Sequence, residues 1–159
     1  MKSMARYLLV AHQTAESQEL REQVSALVQE DRTAEFVLLV PATPVGLLPA
    51  VGGEGRTAVQ VARWRGARAR SLLEEVGARV TAVRIGSYDP LVAVEEELRG
   101  GDYGVVVIST LPPGLSRWTR MDLPTRVARR FPAVKVVHVI AQPTVATASQ
   151  ATESPPASA

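Results

Sequence analysis

Short, continuous apolar runs separated by amphipathic segments are the feature that most constrains how this chain folds. Runs without polar alternation are typical of strands that are buried on both faces of a sheet. In the segments between them apolar residues recur at helical spacing, as Leu20, Val24 and Leu27 do in the first segment. The pattern predicts five strands, over residues 7–11, 36–40, 80–85, 105–108 and 134–140.

Strands that alternate with helices predict a parallel sheet, because parallel neighbours need crossover connections that are usually helical. We therefore expect an α/β fold, a three-layer α/β/α sandwich around a five-stranded parallel sheet of Rossmann-like type. Thr57 and Asp89-Pro90 mark the starts of the second and third helices, and Gly77 marks the end of the second. Residues 1–141 are the predicted domain, and residues 142–159, rich in Ala, Thr, Ser and Pro, are a predicted disordered tail.

Composition excludes several classes of function. The 159 residues contain no cysteine, which rules out disulfides, thiolate metal sites and cysteine nucleophiles. The two histidines, His12 and His138, lack ligand-like spacing, so no metal is expected. A formal net charge of +2 is too small to imply binding to nucleic acid or to a membrane. The first apolar run is too short for a signal peptide or a transmembrane helix, and we expect a cytoplasmic protein.

The carboxyl ends of parallel strands are the expected place for a ligand, at the point where the strand order reverses. Polar residues or prolines follow the first, second and fourth predicted strands, and a loop and an arginine-rich segment follow the fourth. The candidate ligand-binding residues there are His12, Gln13, Thr14, Val40, Pro41, Ser109, Thr110, Gly114, Arg117 and Arg120.

Two interpretations remain open for several of these residues. The hydroxyls of Ser109 and Thr110 either contact a ligand or satisfy the local backbone. His12 is the only group of catalytic type at a strand end, and as a general base it would need an orienting carboxylate. The second histidine, His138, lies inside the last predicted strand and is expected in the core or at an interface.

Charged clusters on the predicted helices are interpreted first as solvated faces. Consecutive helical residues point in different directions, so the acids at positions 95–97 should face water or a partner. The arginines at positions 63, 65, 68 and 70 are expected to cover the outer face of the second helix. The cluster in residues 117–130 is either a solvated face or a surface that faces an anion; its members are Arg117, Arg120, Arg126, Arg129 and Arg130.

Several segments resemble the universal stress protein family. Gly86-Ser87-Tyr88-Asp89-Pro90 resembles the entry to the family's third helix, and Gly114-Leu115-Ser116-Arg117 with Arg126-Val127 resembles the region after its fourth strand. The resemblance covers roughly residues 5–141 and implies the adenine nucleotide alpha hydrolase-like form of the Rossmann-like fold. It also implies a homodimer that pairs through the last strand, Val134 to Ile140.

The phosphate-binding loop of the family's ATP-binding members is not matched. Those members carry Gly-x-x-Gly, nine residues and then Gly-Ser or Gly-Thr, where this chain has Ile108, Leu111, Met121 and Asp122. Glycine lets backbone approach phosphate closely, and a carboxylate at the last position would repel it. Where the family's first strand commonly ends in an aspartate, this chain has His12. ATP is therefore not expected as a cofactor of the usual kind.

Three hypotheses about function follow from the sequence. The first is a non-catalytic stress-response or regulatory module that acts by dimerisation or by binding a partner or ligand. The second is a protein that binds a nucleotide or another small anionic ligand in a rearranged site. The third is a nucleotide hydrolase, for which the sequence offers no nucleophile, metal cluster or paired carboxylates.

Overall fold

The computed structural model describes residues 5–42, 57–112, 114–115, 118 and 122–142. Strands and helices alternate over these ranges. In chain order they are β1 (Arg6–Val10), α1 (Gln18–Glu30), β2 (Glu35–Pro41), α2 (Ala58–Glu75), β3 (Arg79–Gly86), α3 (Pro90–Gly100), β4 (Val105–Thr110), α4 (Leu123–Arg130) and β5 (Lys135–Ile140).

The five strands form one parallel sheet in the order β3-β2-β1-β4-β5. This confirms the predicted α/β fold with a five-stranded parallel sheet. The chain builds the sheet outward from β1 to β3 and then returns to add β4 on the other side of β1. Val10 of β1 lies opposite Leu39 of β2 and Ile108 of β4, so the carboxyl ends of these three strands meet at one edge.

Both faces of the sheet are covered, which explains why the strands are apolar throughout. Successive side chains of a strand point to opposite faces. Leu9 therefore packs with residues of α1 and α2, whereas Leu8 and Val10 pack with residues of α3 and α4. All three side chains are fully buried. Trp118 is also buried and joins the core on the side of α3 and α4.

Helix α2 begins and ends where the sequence predicts. Thr57 accepts a hydrogen bond from the Gln60 amide and the Gln60 side chain accepts one from the Thr57 amide, which forms a capping box. Gly77 has a φ of 92°, and its amide donates to the carbonyl of Glu74. The next amide donates to Leu73, and this pair of bonds is a Schellman motif.

Pro41 occupies the last position of an interior strand, where a missing amide donor would normally be costly. The carbonyl of Leu39 accepts from the amide of Ala11, and the amide of Ala42 donates to Gly86 on the opposite side. Because alternate residues direct their backbone groups to alternate neighbours, the nitrogen of Pro41 faces β1 next to Ala11, and its missing donor ends the pairing of β1 with β2 there.

The acidic cluster on α3 differs from the prediction. The acids at positions 95–97 do not form one solvated face: Glu95 is buried and forms an ion pair of 2.7 Å with Arg130, which ties α3 to α4. Glu97 accepts from the Tyr103 hydroxyl at 2.9 Å and pairs with Arg84. The rotation of about 100° per helical residue separates these side chains and brings two of them to partners.

The last helix and the chain's end are described in part. Asp122 precedes Leu123 at the start of α4, and Pro124 follows in the first turn. Arg126 and Arg129 are exposed on this helix, which agrees with a solvated face. All of the predicted tail, residues 142–159, lies outside the described residues except Gln142. None of the helices in the described ranges is long and apolar enough to cross a membrane.

Replacing Gly86 with alanine is expected to destabilise the fold by about 1–3 kcal/mol. An added Cβ would lie 2.7 Å from the Cβ of Ala93 and 3.0 Å from Leu39 Cδ1, and the Ala93 Cβ is held by the backbone of α3. Gly100→Ala is the matched control, because a Cβ there meets nothing within 4 Å and alanine favours a helix by up to about 1 kcal/mol. Urea denaturation measures both, and equal effects of the two substitutions would contradict the packing argument.

Candidate ligand-binding site at the carboxyl edge

The residues that follow β1 and the end of β4 are joined across the point where the strand order reverses. The hydroxyl of Thr14 donates a hydrogen bond of 3.1 Å to the carbonyl of Ser109. Thr14 does not cap α1, because Ser17 fills that role by accepting a hydrogen bond from the amide of Leu20. The two strand ends are therefore held together at the place where open α/β sheets bind ligands.

His12 lies in this edge with only 4% of its surface exposed. Neither ring nitrogen has a hydrogen-bond partner among the described residues. Burial, and then the positive charge of Arg65, lower the pKa of His12 from 6.5 to about 4. The imidazole is therefore neutral near pH 7 and offers one donor and one acceptor to a neighbouring group.

The two hydroxyls at the end of β4 have different environments. Ser109 is 1% exposed, and its Oγ has no hydrogen-bond partner in the described part of the chain. The Thr110 Oγ1 lies 2.7 Å from Nε2 of His138, which is exposed on β5. Neighbouring residues of a strand face opposite sides of the sheet, so only Ser109 is left with an unpaired hydroxyl. The local-backbone interpretation of these hydroxyls therefore does not hold for Ser109.

Arg65 of α2 belongs to this site, although the sequence placed it on the outer face of the helix. Its side chain is half-buried, and its Nε is buried with no hydrogen-bond partner among the described residues. Ala62 and Ala69, three residues before it and four after it, are both buried, and this spacing was the signal that Arg65 borders the inner face. Arg63 and Arg68 are exposed as predicted. We call His12, Thr14, Ser109 and Arg65 the carboxyl-edge site.

The close approach of α2 to the sheet explains how Arg65 reaches the site. A Cβ on Gly66 would lie 2.7 Å from Val83 Cγ1 and 3.5 Å from Val40 Cγ2. Only glycine lets the helix backbone lie this close to the ends of β2 and β3. The helix is also tied to the β1–α1 connection by an ion pair of 2.8 Å between Arg68 and Glu16, with the Arg68 guanidinium over the Trp64 ring.

The remaining predicted site residues are placed as follows. Val40 and Pro41 are buried, and the Val40 side chain packs toward α2, so only its backbone borders the edge. Gln13 and Gly114 are exposed, and Gly114 has a φ of 94°. Arg117 and Arg120 lie outside the described residues. Within the described ranges no group of three or more His, Asp or Glu side chains could hold a metal ion.

Solved structures of universal stress proteins match this architecture over most of the chain. One from Archaeoglobus fulgidus is 12% identical with a TM-score of 0.57, and the match covers 85% of this chain and 93% of that chain. This chain has the fold of the universal stress proteins. A second structure, in complex with cAMP, is 18% identical with a TM-score of 0.54 and covers 87% and 97% of the two chains. A third, from Archaeoglobus fulgidus in complex with dAMP, is 15% identical with a TM-score of 0.54 and covers 87% and 99%.

Comparison of the amino-acid sequence alone finds no match. No protein-family model matches it, and no curated protein matches it significantly. The universal stress protein fold is therefore shown by the three-dimensional comparison. The bound nucleotides named above belong to the matched proteins.

Asp122, which occupies the last position of the family's phosphate-binding pattern, has a glycine-like backbone without being glycine. Its φ is 56° and its ψ is 44°, in the left-handed region. Its side chain makes no capping hydrogen bond to α4 and is exposed. The carboxylate is near enough to His138 to oppose the lowering of that residue's pKa by burial. The residue that stands where the family's pattern has Ser or Thr is thus an aspartate on left-handed backbone, directly before α4.

His12 is expected to make folding acid-sensitive. At pH 7.5 it is neutral in both states, but between pH 6.5 and 4 the unfolded chain binds a proton that the folded chain does not. The free energy of unfolding should therefore fall with pH in this window, by about 2 kcal/mol from His12 alone at pH 5. Urea denaturation at pH 7.5 and pH 5 should show this loss for the unmodified chain.

The two histidines provide a matched pair of variants for that measurement. His12→Gln should remove most of the loss between the two pH values, whatever it does to absolute stability. His138→Gln should keep most of it, because His138 is exposed on the edge strand. If both variants lose stability in acid as much as the unmodified chain, burial of a neutral His12 is not the cause.

Proposed function

We propose that this chain is a non-catalytic ligand-binding module of the universal stress protein fold, which takes a small molecule at the carboxyl-edge site and pairs with a second copy through β5. The observation that carries the proposal is the group of buried polar atoms at the site: both ring nitrogens of His12 and the hydroxyl of Ser109 lack partners among the described residues. A buried polar group left unpaired costs about 1–3 kcal/mol. A ligand that pairs with these atoms recovers that free energy.

The position of the site supports the class of ligand. It lies at the strand-order reversal, and structures of the same fold hold cAMP and dAMP. A nucleotide or a related small molecule with donors and acceptors is therefore the favoured occupant. The grip on its phosphates would differ from that in the ATP-binding members, because Asp122 puts a carboxylate at the last position of their loop pattern.

The surroundings of His12 support a non-catalytic role. A histidine that acts as a general base is normally oriented by a carboxylate or another group on its second nitrogen. In the described part of the chain neither nitrogen of His12 has such a partner. With a pKa of about 4, the imidazole is also a weak base at neutral pH. It is suited to hydrogen bonding rather than to proton transfer.

The position of β5 supports the dimer. β5 pairs with β4 and is the last strand of the sheet order, and no strand of the described residues pairs with its other edge. Lys135 and Ala141 donate their amides to β4, so the amides of Val136, His138 and Ile140 point the other way. Ile140 is 43% exposed on this edge. An apolar edge strand with free donors is suited to pairing with a second copy.

Removing the Ser109 hydroxyl should stabilise the free protein and weaken ligand binding. Ser109→Ala deletes an unpaired buried hydroxyl, so the free energy of unfolding should stay level or rise by up to about 1 kcal/mol. Thr110→Val is the matched control, because its hydroxyl is paired with His138 and its loss should cost about 1 kcal/mol. Urea denaturation compares the two neighbours.

Ligand binding is then measured by thermal shift and calorimetry with AMP, dAMP, cAMP and ATP. A ligand at a hundred times its dissociation constant should stabilise the chain by about 2.7 kcal/mol. Ser109→Ala should lower the affinity for the tightest-binding nucleotide by about threefold to tenfold, the equivalent of one neutral hydrogen bond. ATP should bind no more tightly than AMP. The proposal fails if no nucleotide shifts the melting temperature and Ser109→Ala destabilises the chain as Thr110→Val does.

The dimer is tested by a substitution that removes one outward amide. Val136→Pro keeps the ladder to β4 intact, since the Val136 amide points away from it, but deletes a donor needed for pairing with a second copy. Size-exclusion chromatography with light scattering should show a dimer for the unmodified chain and a monomer for Val136→Pro. Val136→Ala keeps the amide and should remain dimeric. A strict monomer for the unmodified chain would remove this part of the proposal.

A further inference from the structure

Arg65 carries a charge at the carboxyl-edge site that the described part of the chain does not neutralise. The Arg65 Nε is buried without a hydrogen-bond partner there, and none of the four ion pairs among the described residues includes Arg65. A guanidinium does not lose its proton in proteins, so burial cannot be relieved by neutralisation as it is for a lysine. The charge must therefore be stabilised by an anion or by water.

The described neighbours of Arg65 do not supply that anion. Glu16, on the β1–α1 connection beside α2, is already paired with Arg68 at 2.8 Å. His12 feels the charge of Arg65 and is neutral near pH 7, so it neither repels an anion nor replaces one. A neutral imidazole can still donate one hydrogen bond to an oxygen.

The two sides of the site carry charges of opposite sign. Asp122 lies on the side of β4 and β5, with an exposed carboxylate close to His138. Arg65 lies on the side of α2. Like charges a few ångströms apart repel, whereas a buried guanidinium attracts an oxyanion and can bind it through two parallel hydrogen bonds. A negatively charged ligand group is therefore favoured beside α2 and disfavoured beside β4.

We propose that Arg65 and His12 form an oxyanion subsite, so that the ligand of the carboxyl-edge site carries a phosphate or carboxylate group that lies beside α2 rather than in the loop after β4. This inference rests on the proposed ligand-binding function and names the chemistry of the ligand. Ser109 supplies a further hydroxyl to the remaining polar part of the ligand. The charge of the ligand is thus recognised by a helix residue and not by a glycine loop.

The subsite is tested by calorimetry with two pairs of probes on the full chain. AMP and adenosine differ only in a phosphate, and benzoate and benzamide differ in a carboxylate. We expect AMP to bind at least tenfold more tightly than adenosine if the oxyanion is a phosphate, and benzoate to bind more tightly than benzamide if it is a carboxylate. Equal affinities within both pairs would overturn the inference, and no binding of any probe would overturn the proposed function itself.

Variants of two arginines on α2 show which side chain binds the oxyanion of the ligand. Arg65→Gln should lower the affinity for the anionic probe by tenfold to a hundredfold, the loss expected for a charge-assisted hydrogen bond. The affinity for the neutral counterpart should not change. Arg65→Lys, which keeps the charge but not the fork, should be intermediate. Arg63→Gln is the matched control on the exposed face and should change neither affinity. An anionic probe that binds Arg65→Gln as tightly as the unmodified chain would show that its oxyanion lies elsewhere.

Two further measurements do not depend on those variants. An oxyanion beside His12 should raise its pKa from about 4, which NMR titration of the imidazole detects with and without the probe. No change in that pKa on saturation would contradict the placement. Glu54→Gln removes the single carboxylate in residues 43–56 and should leave the affinity for the anion unchanged. A tenfold rise would show that the chain supplies its own counter-ion to Arg65.

Discussion

The pairing of β1 with strands on both sides is the interaction on which the rest of this structure depends. β1 hydrogen-bonds to β2 through one edge and to β4 through the other, and Leu8, Leu9 and Val10 are fully buried. Because the chain adds β2 and β3 on one side and β4 and β5 on the other, the helices that follow β1 and β4 diverge from the same point. Open α/β sheets bind ligands at such a point, which is why the carboxyl ends of these two strands are the candidate site.

The carboxyl-edge site differs from the rest of the described core in how its polar groups are paired. Elsewhere polar side chains near the core find partners: Glu95 pairs with Arg130, and Tyr103 donates to Glu97. At the strand-order reversal, His12 and Ser109 are buried and do not find partners among the described residues. Native structures normally pair such groups, and these exceptions are the basis of the proposal that a bound molecule pairs with them.

Much of the fold could be predicted from local patterns. The apolar runs, the capping box at Thr57, the Asp89-Pro90 start and the glycine after α2 each reflect a local backbone requirement, and the structure confirms them. The candidate residues after β1 and at the end of β4 could also be predicted, since parallel strands bring their carboxyl ends to one edge. The environment of each residue could not be predicted, because burial depends on what the opposite element places against it. Arg65 was therefore missed and Glu95 was misassigned.

The sequence by itself determined the order of strands and helices, the parallel sheet that this order requires, and the absence of the family's phosphate-binding glycines. These properties follow from local periodicity and from residue types. The resemblance to the universal stress proteins indicated their fold, and the three-dimensional comparison confirmed it. Only the tertiary structure decided that Thr14 bonds across to Ser109, and that α2 lies close enough at Gly66 to bring Arg65 toward His12. The physical reason is that each of these pairs is more than 50 positions apart in the chain, and packing alone sets which of them meet.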